Sequence, residues 1–190
     1  SCREGHHSNA TNLYSPDQCT PTEPGFYATT GSTEPTPCSP GMFEPNVGSG
    51  KCEKCVAGTF QNASGETACK ECTQFSYCTE GSADPRYCPQ GTEGNAPGLK
   101  SEDECTPSKP GYWSTGGERV ECNKGYYQPK NGAASQKDCK QCPIGSTTLR
   151  SASVSVYDCV CTPGYYSTEH LNCSACPQGT DCTEDGVTLQ

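Results

Sequence analysis

The sequence predicts small disulfide-rich modules in tandem, mostly irregular in backbone with short β-hairpins, forming an elongated rod. The chain has 190 residues and 18 cysteines, an even number that favours a complete set of disulfides. Leu, Ile, Val and Phe number only 17, about 9% of the chain. Below roughly 20%, apolar burial alone does not offset the entropy lost on ordering the chain, so disulfides must replace an apolar core. Because 21 Gly and 16 Pro residues favour turns, we expect loops and not long helices.

The cysteine content also predicts the compartment, since persistent disulfides need an oxidising environment. We therefore expect an extracellular or cell-surface location. Three N-x-S/T sequons, at Asn9, Asn62 and Asn172, fit a secretory route and are candidate N-glycosylation sites. The segment has no apolar run of membrane-spanning length and no signal peptide, so we expect a processed or excerpted part of a longer protein, with any anchor outside it.

The net charge of −9 is interpreted as a solvated acidic surface, spread along the chain without an acidic tail or a basic stripe. We therefore expect no nucleic-acid partner. No EF-hand spacing of acidic residues suggests a cation site.

A short motif, Cys-x-x-Gly-x-aromatic followed by a polar loop and a closing Cys, recurs along the chain. The Gly suits a turn with positive φ, and the aromatic side chain is expected to cover a disulfide or a neighbouring ring. Degenerate copies, which keep the Gly and lose the aromatic residue, begin at Cys88, Cys142 and Cys176. The complete copies are Cys38 to Phe43 closing at Cys52, Cys55 to Phe60 closing at Cys69, Cys122 to Tyr127 closing at Cys139, and Cys161 to Tyr166 closing at Cys173.

A longer period is visible as well. The stretch from Cys19 to Tyr27 resembles the stretch from Cys105 to Trp113, 86 residues later, and the Cys-Pro-Gln-Gly-Thr sequence of Cys88 returns at Cys176. We therefore predict two super-repeats with eight cysteines each, at 2–87 and 88–175, and the start of a third at 176–190.

Pairing the cysteines in sequence order leaves none over and respects the long period. Many other pairings of 18 cysteines exist, and the sequence alone does not prove the connectivity. The sequential hypothesis gives the bridges Cys2–Cys19, Cys38–Cys52, Cys55–Cys69, Cys72–Cys78, Cys88–Cys105, Cys122–Cys139, Cys142–Cys159, Cys161–Cys173 and Cys176–Cys182.

Two other uses of the cysteines are weighed against disulfides. Cys52, Cys55, Cys69 and Cys72 have the spacing of a four-cysteine zinc ribbon, but the corresponding cysteines of the second super-repeat end in CxC. A redox dithiol would need a CxxC at a helix N-terminus, and no βαβ pattern surrounds any CxxC here. We therefore predict no bound metal and no cofactor.

The segment 122–166, with Cys-Asn-Lys-Gly-Tyr-Tyr leading to Asp158-Cys-Val-Cys-Thr-Pro-Gly-Tyr-Tyr166, resembles the cysteine-rich ectodomain repeat of ephrin receptors. More loosely, the chain is similar to modules of tumour-necrosis-factor receptors and to EGF-like stalks, and its tandem arrangement looks like surface and extracellular proteins of protists and algae. The resemblance implies the fold, the compartment and sequential pairing in the well-matched part. The short Cys72–Cys78 and Cys176–Cys182 loops depart from that pattern.

No catalytic constellation is evident. His6, His7 and His170 lie in polar stretches without a nucleophile partner and are expected in exposed loops. Tyr112 and Trp113 occupy the recurring turn position, so we expect them to pack within their module more than to anchor a partner.

We therefore expect a non-enzymatic extracellular structural repeat protein, a building block of a glycosylated filament, surface coat or adhesin. Its expected partners are other copies of itself or other extracellular proteins. The alternative is a ligand-binding receptor or stalk ectodomain, which would require one repeat with a distinctive exposed aromatic and charged patch.

Mass spectrometry of non-reduced peptides is expected to find all 18 cysteines oxidised in nine local bridges. Each loop of about 15 residues would stabilise the fold by roughly 3 kcal/mol by restricting the unfolded chain. Free thiols, or bridges between residues more than about forty positions apart, would reject the sequential pairing.

Overall fold

A computed structural model describes residues 1–169 and 172–187. The chain divides into two compact units. Unit 1 comprises Ser1–Tyr87 and Gly94–Glu104, and unit 2 comprises Cys88–Glu93 and Cys105–Gln190. The super-repeats at 2–87 and 88–175 concern repetition in the sequence, and their boundaries stay a prediction.

The described residues form short strands that pair within ten two-stranded antiparallel sheets, without an α-helix. This confirms small disulfide-rich modules with short hairpins. Four 3-10 turns lie at Pro16–Gln18, Glu102–Glu104, Gln136–Asp138 and Val156–Asp158. In the described part of the chain no helix is long and apolar enough to cross a membrane. The strands are β1 His6–His7, β2 Thr20–Pro21, β3 Phe26–Tyr27, β4 Thr36–Pro37, β5 Met42–Phe43, β6 Glu53–Lys54, β7 Thr59–Phe60, β8 Lys70–Glu71, β9 Ser76–Tyr77, β10 Arg86–Tyr87, β11 Thr92–Glu93, β12 Thr106–Pro107, β13 Tyr112–Thr115, β14 Glu118–Glu121, β15 Tyr126–Tyr127, β16 Lys140–Gln141, β17 Ser146–Thr148, β18 Cys159–Cys161, β19 Tyr165–Glu169 and β20 Asn172–Ala175.

Each module is one hairpin that starts at a tight turn. In the module of residues 38–54, the turn residue Gly41 has φ +85°, a conformation that glycine adopts without the steric cost of a Cβ. Strand β5 follows and pairs with β6 in the register Met42 to Lys54 and Phe43 to Glu53. The Cys38–Cys52 bridge closes the polar loop, so one turn, one strand pair and one bridge define the module.

At several junctions, three main-chain hydrogen bonds join successive modules. Between the modules of residues 38–54 and 55–71, the Gly41 N–H donates to the Gln61 carbonyl at 2.7 Å. In return, the Gly65 N–H donates to the Cys38 carbonyl at 2.8 Å, and the Glu44 N–H donates to the Glu66 carbonyl at 3.1 Å. Because these bonds use only backbone groups, they recur although the side chains differ.

At two further junctions the three donors occupy the same positions in their modules. Within unit 1, the module that starts at Cys55 bonds to the module that starts at Cys72 through Gly58 to Cys78, Gly81 to Cys55 and Gln61 to Ser82. Within unit 2, the junction before Cys122 uses Gly111 to Gln128, Gly132 to Ser108 and Ser114 to Ala133.

Contacts extend beyond the next module. A Cβ on Gly41 would lie 2.3 Å from the carbonyl oxygen of Gly81, which belongs to the second module along the chain. Gly111 stands in the same relation to Ala152 in unit 2, at 2.3 Å. A module therefore touches more than its immediate neighbour, since the turn glycines let backbones approach across two modules.

In several modules a disulfide and one buried polar side chain fill much of the interior. The residue six positions after the opening cysteine is buried in several modules, as at Gln61 and Gln128. Gln61 Nε2 donates to the Ala68 carbonyl at 2.7 Å, and its Oε1 accepts from the Ala63 N–H at 3.1 Å. Gln128 makes the equivalent bonds to Asp138 and Lys130, at 2.7 and 3.0 Å. A buried amide thus satisfies the loop backbone that an apolar core would leave unpaired.

Gly41→Ala is expected to disrupt its neighbourhood far more than Gly125→Ala. Both glycines occupy the turn position at positive φ, +85° and +89°, so both variants incur about 1–2 kcal/mol of left-handed strain. Only the Gly41 variant also meets backbone at 2.3 Å, since the nearest atom to a Cβ on Gly125 is Thr147 Oγ1 at 3.5 Å. Hydrogen exchange at Gly81 and Gln61 should accelerate in the Gly41 variant, and equal, purely local effects in both variants would contradict the close approach.

Candidate functional site

The structure pairs the 18 cysteines in nine disulfides and leaves none free. Cα–Cα distances in the bridges run from 5.5 Å for Cys161–Cys173 to 6.5 Å for Cys176–Cys182. Within residues 1–169 and 172–187, no three His, Cys, Asp or Glu side chains are grouped to hold a metal ion. The bridges are Cys2–Cys19, Cys38–Cys52, Cys55–Cys69, Cys72–Cys78, Cys88–Cys105, Cys122–Cys139, Cys142–Cys159, Cys161–Cys173 and Cys176–Cys182.

Cys72–Cys78 represents a second kind of bridge, which spans the turn and not the polar loop. Its sequence separation is 6, against 14 for Cys38–Cys52. The turn residue between the two cysteines is Phe75, which has φ +71° where the other turns have glycine. A bulky residue in this region costs about 1–2 kcal/mol, so the bridge holds closed a turn that its sequence disfavours.

In the described part of the chain two modules contain no disulfide, so the cysteine pattern does not mark them as modules. They begin at Thr22 and Ser108, which take the place of the opening cysteine and are fully buried. Thr22 Oγ1 accepts from the Ser49 N–H at 3.0 Å, and Ser108 Oγ donates to the Ala133 carbonyl at 2.9 Å. Each hydroxyl bonds to the loop of the next module. The Pro-Gly-aromatic sequence after each of them marks the turn, which the sequence already indicates at Tyr112 and Trp113.

The histidines differ from the expectation of exposed loops. His6 and His7 form β1 and occupy the aromatic positions of the first module, paired with Pro21 and Thr20. The His6 ring lies 3.4 Å from the Arg3 guanidinium and 3.3 Å from the Glu4 carbonyl. His170 lies outside the described residues.

The three sequon asparagines are exposed, in different settings. Asn9 lies in the loop of the first module. Asn62 follows β7, and its Oδ1 accepts from Lys70 Nζ at 2.9 Å. Asn172 begins β20 beside Cys173, which is half-buried and bonded to Cys161.

The hairpin of residues 112–121, in the disulfide-free module of unit 2, is longer than most. Strands β13 and β14 have four residues each and join through Gly116 and Gly117, both at positive φ, +58° and +79°. Two consecutive residues of positive φ form the tight turn whose twist matches the paired strands. Tyr112 and Trp113 are half-buried in this hairpin, as expected for packing within the module.

A buried acid and an arginine connect this hairpin to the turn before it. The Glu93 side chain is 1% exposed, and its Oε2 lies 3.9 Å from a terminal nitrogen of Arg119. Glu93 Oε1 accepts from the Lys109 N–H at 3.3 Å, whereas Oε2 has no hydrogen bond and depends on the charge of Arg119. The guanidinium also lies 4.8 Å from the Tyr112 ring centroid, within cation–π range.

The cluster of Glu93, Tyr112, Trp113 and Arg119 is the distinctive feature that the sequence analysis did not find. Trp113 Nε1 is buried without a hydrogen-bond partner, while the Arg119 side chain stays 44% exposed. Arg119 appeared in no motif. The signal in the sequence was the acid at the aromatic position of the degenerate Cys88 copy. An unpaired carboxylate is costly to bury, so an acid at a packing position needs a partner.

Comparison with known proteins identifies the repeat type. Residues 111–159 match the family model described as tyrosine-protein kinase ephrin type A/B receptor-like. Cysteine repeat modular protein A of Toxoplasma gondii is 44% identical over 52 residues, covering 27% of this chain and 2% of that protein. Cysteine repeat modular protein B of the same organism is 33% identical over 101 residues, covering 48% of this chain and 1% of that protein. Residues 111–159 are therefore similar to an ephrin receptor-like repeat, and the chain resembles cysteine-rich repeat proteins of which it spans a small fraction of the length.

N-glycans are expected at Asn9 and Asn62 and in smaller amount at Asn172, because Cys173 lies within the last sequon and is bridged to Cys161. An amidase specific for N-glycans should lower the mass of the native protein, and peptide mapping should locate the occupied asparagines. Asn9→Gln and Asn62→Gln serve as matched controls. An unchanged mass after amidase treatment would refute the prediction.

Proposed function

We propose that this chain is a structural segment of an extracellular protein, a non-enzymatic building block of a glycosylated filament, surface coat or adhesin. The observation that carries the proposal is the recurrence of the same three main-chain hydrogen bonds at successive modules in both units. A junction made by backbone atoms constrains few side chains, so modules can be added while their surfaces vary.

The cysteines and the ephrin receptor-like match support an extracellular compartment. Nine disulfides without a free thiol suit an oxidising environment. The ephrin receptor-like match at residues 111–159 supports an extracellular repeat. The names of the two Toxoplasma gondii relatives describe modular cysteine-repeat proteins, which supports a non-enzymatic repeat function for this chain.

A ligand-binding receptor or stalk ectodomain is the second candidate. The cluster around Arg119 favours it, since a guanidinium that is 44% exposed beside half-buried Tyr112 and Trp113 combines the residue types that dominate binding hot spots. Under this proposal Arg119 contacts the partner. Under the structural proposal it only secures the hairpin over Glu93.

Electron microscopy of the native protein separates the two candidates. Antibodies against this segment are expected to label filaments or a continuous coat at regular intervals. Discrete monomeric ectodomains bound to a ligand, without fibres or coat, would favour the receptor function.

The elongated shape stays a prediction that small-angle scattering of the 190-residue chain can check. We expect a radius of gyration well above the roughly 16 Å of a compact globule of this length. A value near that figure would contradict the expected rod.

A further inference from the structure

The charge of this chain is not evenly spread, contrary to its first interpretation. Residues 105–150 contain 7 of the 13 basic residues and only 3 of the 22 acidic ones. The module of residues 122–141, in unit 2, contributes four lysines and a single acid, Asp138. We name Lys124, Lys130, Lys137 and Lys140 the lysine cluster.

The lysine cluster is exposed and lacks ion pairs. All four side chains are exposed. In the described part of the chain the ion pairs are Lys54 with Glu80 at 3.4 Å and Arg119 with Glu93 at 3.9 Å, and neither involves the cluster. Three of the lysines lie within two residues of the Cys122–Cys139 bridge, whose Cα atoms are 5.9 Å apart, so their positive charges are held in one region.

The one acid of this module is engaged internally. Asp138 Oδ2 accepts from the N–H groups of Ala134 and Ser135, at 2.8 and 2.9 Å, and from Ser135 Oγ at 3.2 Å. These bonds, led by those from the Ala134 and Ser135 backbone, lower the pKa of Asp138 below its ordinary value. Its oxygen is therefore occupied by the cap of the 3-10 turn, and none of the lysines approaches it closely enough to form an ion pair.

Unit 1 presents the opposite charge. It contains 13 acidic and 6 basic residues, a net charge of −7. All of its acids are exposed except Glu44 and Glu66. Every copy of this chain thus carries both the lysine cluster and the exposed acids of unit 1, so a second copy is an acidic partner for the cluster.

We propose that the lysine cluster of one copy docks on the acidic surface of unit 1 of a second copy. The two surfaces differ, so the contact is heterologous, and a heterologous contact that does not close on itself produces a filament. This inference rests on the proposed structural function and assigns the residues that join its copies. The lysine cluster is unpaired, and among the described acids of unit 1 an ion pair is found only at Glu80. These charges favour electrostatic recognition, which is strong at low salt and screened at high salt.

Sedimentation velocity of the 190-residue chain tests the contact. At about 20 mM salt the chain is expected to associate as its concentration rises, and at about 150 mM salt the affinity should fall at least tenfold. Lys124→Glu, Lys130→Glu, Lys137→Glu and Lys140→Glu together should abolish association, and the four Lys→Gln changes should weaken it. A wild-type chain that remains monomeric at low salt overturns the proposal.

The matched control reverses the four lysines of unit 1, Lys51, Lys54, Lys70 and Lys100, which are also exposed. This variant carries the same net charge as the cluster variant and makes unit 1 more acidic, so it should associate at least as well as the wild type. Equal loss in both variants would indicate general repulsion and overturn the proposal. Intact mass and circular dichroism confirm that each variant keeps its nine bridges and its fold.

Two outcomes separate this inference from the proposed function. If the low-salt chain is monomeric yet binds a sulfated polysaccharide through the lysine cluster, the partner is a polysaccharide and the docking proposal fails. If native filaments are seen while the cluster variant still associates, the filament function stands and the assigned surface is wrong. If association in solution depends on the lysine cluster but no native filaments are seen, the assigned contact surface is supported and the filament function is rejected.

Discussion

The structure depends on the main-chain hydrogen bond that the turn residue of one module donates to the next. The bond forms because the chain reverses at positive φ, which directs the turn N–H outward to the neighbouring carbonyl, as from Gly41 to Gln61 at 2.7 Å. The absence of a Cβ at Gly41 also permits the close approach to Gly81, whose carbonyl oxygen would lie 2.3 Å from such an atom. Since neither feature needs apolar area, a chain with few Leu, Ile, Val and Phe residues can still join its modules.

Disulfides close individual loops, whereas main-chain bonds hold modules to each other. The modules that start at Thr22 and Ser108 show the difference, since they lack a bridge and keep the inter-module bonds. Their buried hydroxyls bond the loop of the next module in place of a bridge. A module can therefore keep its junctions without a bridge of its own, and the bridges act within modules by restricting the unfolded chain.

The sequence predicted the parts of this fold that depend on residue identity. Cysteines, turn glycines and aromatic residues recur at regular spacing, so hairpin modules could be recognised. The Thr22 and Ser108 modules lack the opening cysteine, although their Pro-Gly-aromatic turn is visible in the sequence. The roles of their hydroxyls were missed because these bond backbone atoms of another module, which no side-chain pattern reports. Gln61 and Gln128 were missed for the same reason, as their amides bond loop backbone. The pairing of Arg119 with Glu93 depends on a hairpin register that sequence alone does not specify.

Main-chain joining leaves the exposed side chains free to differ between modules, and the differences are where function can reside. One module presents four unpaired lysines, the preceding one an arginine over Tyr112, and unit 1 carries a net charge of −7. If the array served only as a spacer, evenly distributed charge would keep it soluble. Positive charge concentrated in one module weakens the electrostatic repulsion between copies. The uneven distribution therefore favours recognition of a partner over a role as a spacer.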